Sequence, residues 1–79
     1  MEIKVKYFGS VAEETGKAEE TIFLKDGVIE IWEFVKSIFN KYGLTEDPAV
    51  QIAVNQVLQK EGIIKHGDEI AFLPPYAGG

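Results

Sequence analysis

The chain has no cysteine and a single histidine, His66. The first absence rules out a disulfide staple or a thiolate metal site, and the second argues against a histidine-based one. No apolar run approaches the ~20 residues that cross a bilayer as a helix. The opening Met1-Glu2-Ile3-Lys4 lacks the apolar segment of a signal peptide. A cytoplasmic protein with no membrane contact and no bound metal or cofactor is expected. No glycine-rich loop links a strand to a helix, which leaves a phosphate cradle unsupported. His66 lies in a His66-Gly67-Asp68 turn with no serine or cysteine nucleophile signature nearby, so it reads as a turn residue. The adjacent carboxylates Glu13-Glu14 and Glu19-Glu20 cannot converge on one point, because neighbours on a helix or strand point apart. They read as solvated faces. The body of the chain therefore holds no active site of its own.

Seventy-nine residues make one small domain, and a chain of that size buries only about 60% of its unfolded surface. A hydrophobic content of 46% can supply the necessary core. The net charge is −5, which repels phosphate backbones and argues against nucleic-acid binding. Acidity of this kind suits a basic protein partner, whose approach it would accelerate.

The stretch Glu2 to Phe8 alternates with period two, placing Ile3, Val5 and Tyr7 on one face and Glu2, Lys4, Lys6 and Phe8 on the other. Phe8 is the odd residue on a polar face. Gly9-Ser10 breaks the strand. Ser10 and Glu13 form an S-x-x-E capping box, predicting a short helix from Val11 to Thr15 closed by Gly16. Glu19 to Lys25 reads as a second strand paired with the first, ended by the Asp26-Gly27 turn. One long helix follows, with Val28, Ile31, Trp32, Val35, Ile38, Phe39 and Tyr42 as its apolar stripe and Gly43 beyond its end. Residues 44–48 form a loop. Val50 to Val54 is a strand that turns at Asn55-Gln56 and continues briefly through Val57-Leu58. Gly62 to Lys65 reads as a buried connector. The last strand, Asp68 to Leu73, has Ile70 and Phe72 on one face and Ala71 and Leu73 on the other. One helix covering one sheet face gives an α+β domain over residues 1–73, a ubiquitin-like β-grasp of four to five strands with the first and last parallel at its centre.

What remains is the end, Pro74-Pro75-Tyr76-Ala77-Gly78-Gly79. Two prolines cannot continue a ladder and favour an extended exit. Two glycines can enter a channel too narrow for any side chain. The free carboxylate, whose ordinary pKa is roughly 3.5, is ionised at neutral pH. Chain ends are commonly frayed, but frayed ends are usually polar, and no charged side chain follows Phe72. Residues 74–79 are thus expected to be a flexible arm presenting the Gly79 carboxylate. That group is a poor electrophile until an oxygen becomes a leaving group. Adenylation by a partner enzyme would achieve this. Phe8 and Leu73 both face away from the helix beside the arm's root, and Leu58 can join them as an apolar docking patch.

These residues carry a resemblance. Ile3 to Phe8, then Ala53-Val54-Asn55-Gln56, then Gly67-Asp68-Glu69-Ile70-Ala71-Phe72-Leu73-Pro74-Pro75-Tyr76-Ala77-Gly78-Gly79, are similar to the ubiquitin-like sulfur carriers that serve as the small subunit of molybdopterin synthase. The likeness covers nearly the whole chain. It implies that an E1-like activating enzyme adenylates Gly79 with ATP and magnesium, and that a sulfur donor then converts the adenylate to a thiocarboxylate. It further implies a heterotetramer with the large synthase subunit, whose pocket uses that sulfur to build the dithiolene on cyclic pyranopterin monophosphate. Phe8, Leu58 and Leu73 occupy the family's docking positions. Two departures stand out: Leu73, where an aromatic is frequent, and Ala12, where many members carry an arginine that pairs with a partner carboxylate. A carrier for thiazole or tRNA sulfur, a protein modifier and a pure interaction module remain alternatives.

Overall fold

In a computed structural model, which describes residues 1–45 and 49–74, the first strand, β1 (Glu2–Tyr7), runs through the middle of the domain. Its alternation is realised: Ile3, Val5 and Tyr7 are buried, and Glu2 and Lys4 are exposed. The short helix α1 spans Gly9–Thr15, two residues earlier than the capping box predicts, and has no side-chain cap. The Phe8 carbonyl, at the end of β1, accepts the Val11 and Ala12 N–H groups at 3.1 and 3.4 Å. The first turn therefore forms directly off the strand, and Ser10 falls inside the helix where its hydroxyl has no cap to make. Gly16 closes α1 at φ +76, as expected.

Strand β2 (Glu19–Phe23) pairs antiparallel with β1 in the register Lys4↔Thr21. The long helix is shorter than its apolar pattern implies. Val28–Glu30 is a strand, β3, and helix α2 occupies Ile31–Tyr42. Val28 is more than half exposed rather than part of the helical stripe. Strand β3 pairs with β6 (Ile63–Lys65) through Ile29↔Ile64, and the Ile31 N–H donates to the Gly62 carbonyl at 3.0 Å. Those long-range bonds hold residues 28–30 extended. Gly62–Lys65 is accordingly not a buried connector. Only Ile64 of that strand is buried, and Ile63 is exposed. The buried stripe of α2 is Ile31, Phe34, Val35, Ile38 and Phe39. Phe34, absent from the expected stripe, is fully buried, while Trp32 is half-buried with its indole N–H donated to the Lys60 carbonyl.

Strands β4 (Gln51–Val54) and β5 (Val57–Leu58) form a hairpin whose two turn residues, Asn55 and Gln56, both have positive φ. That is the mirror-image turn matching strand twist. Strand β7 (Glu69–Leu73) lies between β1 and β4, parallel to the first and antiparallel to the second. The main sheet has the order β2-β1-β7-β4-β5, with β3-β6 as a separate two-stranded ribbon. The fold is the α+β, ubiquitin-like β-grasp. The core lies between one sheet face and α2, with Ile70 and Phe72 facing in.

Candidate functional site

The parallel pairing of β1 with β7 brings the ends of both strands to one edge of the sheet. Tyr7 lies beside Phe72, and the Phe8 N–H extends the ladder by donating to the Phe72 carbonyl at 3.1 Å. Side chains alternate along each strand, so Phe8 and Leu73 emerge on the outer face, opposite α2. Phe8 is 44% exposed, and Leu73 is half-buried. From Leu73 the sheet continues to Gln51 on β4. One row back, Ala71 pairs with Ala53, and Ala53 with Leu58 on β5. The three apolar residues singled out in the sequence thus share one face. Two small residues, Ala71 and Ala53, form the floor between them, and strand parity could have found both. The Lys6–Glu69 ion pair, at 3.3 Å, borders the patch on the β1 side.

Pro74 is the last described residue, and it packs against the first turn of α1. Gly9 has φ +55, and a Cβ there would lie 3.0 Å from Pro74 Cγ. The backbone can approach this closely because position 9 has no side chain. Pro75, Tyr76, Ala77, Gly78 and Gly79 lie outside the described residues, as does the part of the 44–48 loop at residues 46–48. The described residues therefore stop at Pro74, and the expectations for Pro75 to Gly79 rest on the sequence.

Beneath the patch, on the α2 side, one carboxylate departs from its expected role. Glu20 is not solvated. It accepts hydrogen bonds from the hydroxyls of Tyr7 (2.6 Å) and Tyr42, and it pairs with Lys17 and Lys41 at 3.2 and 3.5 Å. Burial alone would push its pKa up. The Tyr42, Tyr7 and Lys17 hydrogen bonds and the Lys41 charge together outweigh burial and hold it at about 2. Burial, reinforced by the Glu20 charge, raises the Tyr7 hydroxyl above its ordinary range. Alternation of neighbours could not reveal this, because the partners come from β1, α2 and the α1–β2 connection. Glu13, Glu14 and Glu19 are exposed, as expected.

At the opposite end of β7, Asp68 is buried. Desolvation opposes its ionisation, but the Lys65 N–H, the Asn55 amide and the Lys65 charge lower its pKa below the usual value. His66 is an exposed turn residue whose Nδ1 accepts the Glu2 N–H at 3.0 Å. A groove of about 400 Å³, lined by Trp32, Val50, Ile52, Leu58, Gln59 and Lys60 among others, contains no carboxylate, histidine or hydroxyl nucleophile. Among the described residues no cluster of three metal-binding side chains occurs, and no helix is long and apolar enough to cross a membrane. What the described surface offers is an apolar face beside the departure point of the C-terminal arm.

A family model described as the ThiS family matches residues 5–79. The chain belongs to the ThiS family. The matched span extends to Gly79. The molybdopterin synthase sulfur carrier subunit of Mycobacterium tuberculosis is 32% identical, with 100% of this chain and 99% of that protein covered. Among solved structures, a putative molybdopterin converting factor subunit 1 from Pyrococcus furiosus is 28% identical with a TM-score of 0.76, covering 96% of this ThiS-family chain and 99% of the other. SAMP1 from Haloferax volcanii, a small archaeal modifier protein, superposes with a TM-score of 0.79 over the full length of both chains. At 19% identity that likeness concerns the fold.

Proposed function

We propose that this ThiS-family chain is the sulfur carrier subunit of molybdopterin synthase and that its reactive group is the Gly79 carboxylate. The end-to-end likeness to a protein bearing that name carries the reading. The outward apolar face at the root of the arm supports it.

The chemistry proceeds in three steps. On an E1-like activating enzyme, with ATP and magnesium supplied there, a Gly79 oxygen attacks the α-phosphorus of ATP and pyrophosphate leaves. A sulfur donor then delivers a sulfur nucleophile to the acyl carbon, AMP departs, and a thiocarboxylate remains. Finally the arm enters the pocket of the large subunit, where the thiocarboxylate sulfur attacks cyclic pyranopterin monophosphate. Water restores the carboxylate once the sulfur has been handed over. A dithiolene contains two sulfurs, so two carriers are consumed for each. Phe8, Leu58 and Leu73 hold the partner's surface, and Pro74 and Pro75 direct the arm away from the sheet. Tyr76, Ala77 and Gly78 form the stalk that threads into the pocket. The cycle belongs in the cytoplasm, and the chain needs no cofactor of its own because both reacting pockets lie on partners.

The test is sulfur transfer itself. Thiocarboxylated chain mixed with the large subunit and cyclic pyranopterin monophosphate should return to its carboxylate mass as the dithiolene forms. A second reading is favoured by the fold shared with SAMP1. A modifier would pass through the same adenylate, but a lysine amine of another protein would displace AMP, giving an isopeptide bond and no sulfur. Isopeptide products without a thiocarboxylate would replace the first reading with the second.

A further inference from the structure

Strand β2 is an edge of the main sheet. The hydrogen bonds Leu24 N–H to Met1 carbonyl (2.8 Å) and Tyr7 N–H to Ala18 carbonyl (2.8 Å) fix which β2 residues face β1. Antiparallel ladders alternate, so Ile22 and Glu20 bond inward. Glu19, Thr21 and Phe23 then direct their N–H and C=O groups to the open side. No backbone hydrogen bond from outside the β1–β2 ladder reaches these three among the described residues. Their side chains all lie on the outer face and are exposed, with Phe23 at 74% the most exposed large apolar residue described. An open edge with no proline and an aromatic in water is a template for another strand.

We propose that β2 pairs antiparallel with β2 of a second copy, on a two-fold axis through Thr21. The register follows from the chain. Thr21 faces Thr21 of the second copy as a doubly hydrogen-bonded pair, a favourable cross-strand match. Glu19 faces Phe23, whose ring covers the glutamate methylenes. Lys25, two residues beyond the strand, reaches Glu19 diagonally across the axis, and symmetry repeats the pair. Neither Glu19 nor Lys25 has an ion-pair partner within its own chain among the described residues. Lys17, the other cation flanking the strand, is held away by Glu20 at 3.2 Å. Each chain thus carries both halves of the charge match on one edge, and this self-complementarity selects a second copy as the occupant. The pairing leaves β5, Phe8 and Leu73 uncovered, so it stands independently of the sulfur chemistry. Five residues a side bury less than the ~1,200 Å² of a stable interface, so the association is weak.

Sedimentation equilibrium on the full chain from roughly 10 μM to 1 mM tests this. The mass should rise from monomer toward dimer. Thr21→Pro should weaken association at least tenfold at an unchanged thermal midpoint, because the outward N–H it removes serves no bond within the chain. Glu19→Lys and Lys25→Glu should each weaken it, and the double charge swap should restore it. Should Thr21→Pro unfold the domain, the charge series decides alone. A monomer at every concentration, or a dimer equally strong in all the charge variants, overturns the proposal.

Discussion

The two ends of β7 are built in opposite ways. At its start, Asp68 accepts the Lys65 N–H (2.9 Å) and the Asn55 amide (3.0 Å). Asn55 in turn exchanges bonds with Glu69, accepting its N–H at 3.0 Å and donating its own to its carbonyl at 2.8 Å. The β4–β5 turn is thereby knotted to the turn entering β7, and the register of three strands is pinned there. At its finish, Leu73 and Phe8 stand on the outer face, and Pro74 rests on Gly9. One end is tied by hydrogen bonds; the other leaves apolar side chains on the outer face.

Adjacent residues at the open end should split most sharply. Phe72 is fully buried and packs against Tyr7 and Phe39. Phe72→Ala should cost about 3–5 kcal/mol in chemical denaturation. Leu73→Ala, on the outer face, should cost under about 1 kcal/mol. Equal losses would mean that the two faces are not distinct.

The outer face should matter in binding instead. Phe8→Glu or Leu73→Glu should weaken association with the large synthase subunit by about 2 kcal/mol or more, read by calorimetric titration, while leaving the thermal midpoint in place. Unchanged affinity would remove the docking patch from the proposed function.

The pinned end should respond in stability but not in binding. Asn55→Ala leaves Asp68 and the Glu69 N–H each short of a partner, and should cost about 1–3 kcal/mol. The same titration should show no change in partner affinity beyond that due to unfolding.

A smaller effect appears with pH and has the same sign at both ends. Glu20 has a folded pKa of about 2 against an ordinary 4.5. A folded pKa below the unfolded one gives stability that is complete above pH 4.5 and lost as pH falls toward 2. Asp68 contributes with the same sign, because its pKa is also lowered. Glu20→Gln should flatten the stability curve in that acid window, measured by denaturation at stepped pH. An unchanged slope would show that the Tyr7–Glu20–Tyr42 cluster carries no net charge linkage.

Much of this was legible in the chain. Period-two patterning located β1 and β7 and their buried faces, and the order of elements gave the β-grasp. The outward placement of Phe8 and Leu73 followed from strand parity, whereas that of Leu58 needed its pairing with Ala53. The misreadings have several causes. Val28 and Ile31 have helical spacing, yet pairing with Ile63–Lys65 keeps Val28–Glu30 extended. Ser10 and Glu13 match a capping box, yet the Phe8 carbonyl starts the helix earlier. Phe34 and the burial of Glu20 depend on how α2 is rotated against the sheet, which local patterning does not specify. Gly79 lies outside the described residues, and its proposed role rests on chemistry read from the sequence, a carboxylate on a side-chain-poor stalk.

That carboxylate is the most direct point of attack. The intact chain, incubated with its activating enzyme, ATP, magnesium and a sulfur donor, should gain the mass difference between one sulfur and one oxygen. Fragmentation should place the gain on the C-terminal peptide. Deleting Gly79, or adding one residue after it, should abolish the gain at an unchanged thermal midpoint. A chain that gains no sulfur, or gains it equally without Gly79, would contradict the carrier function.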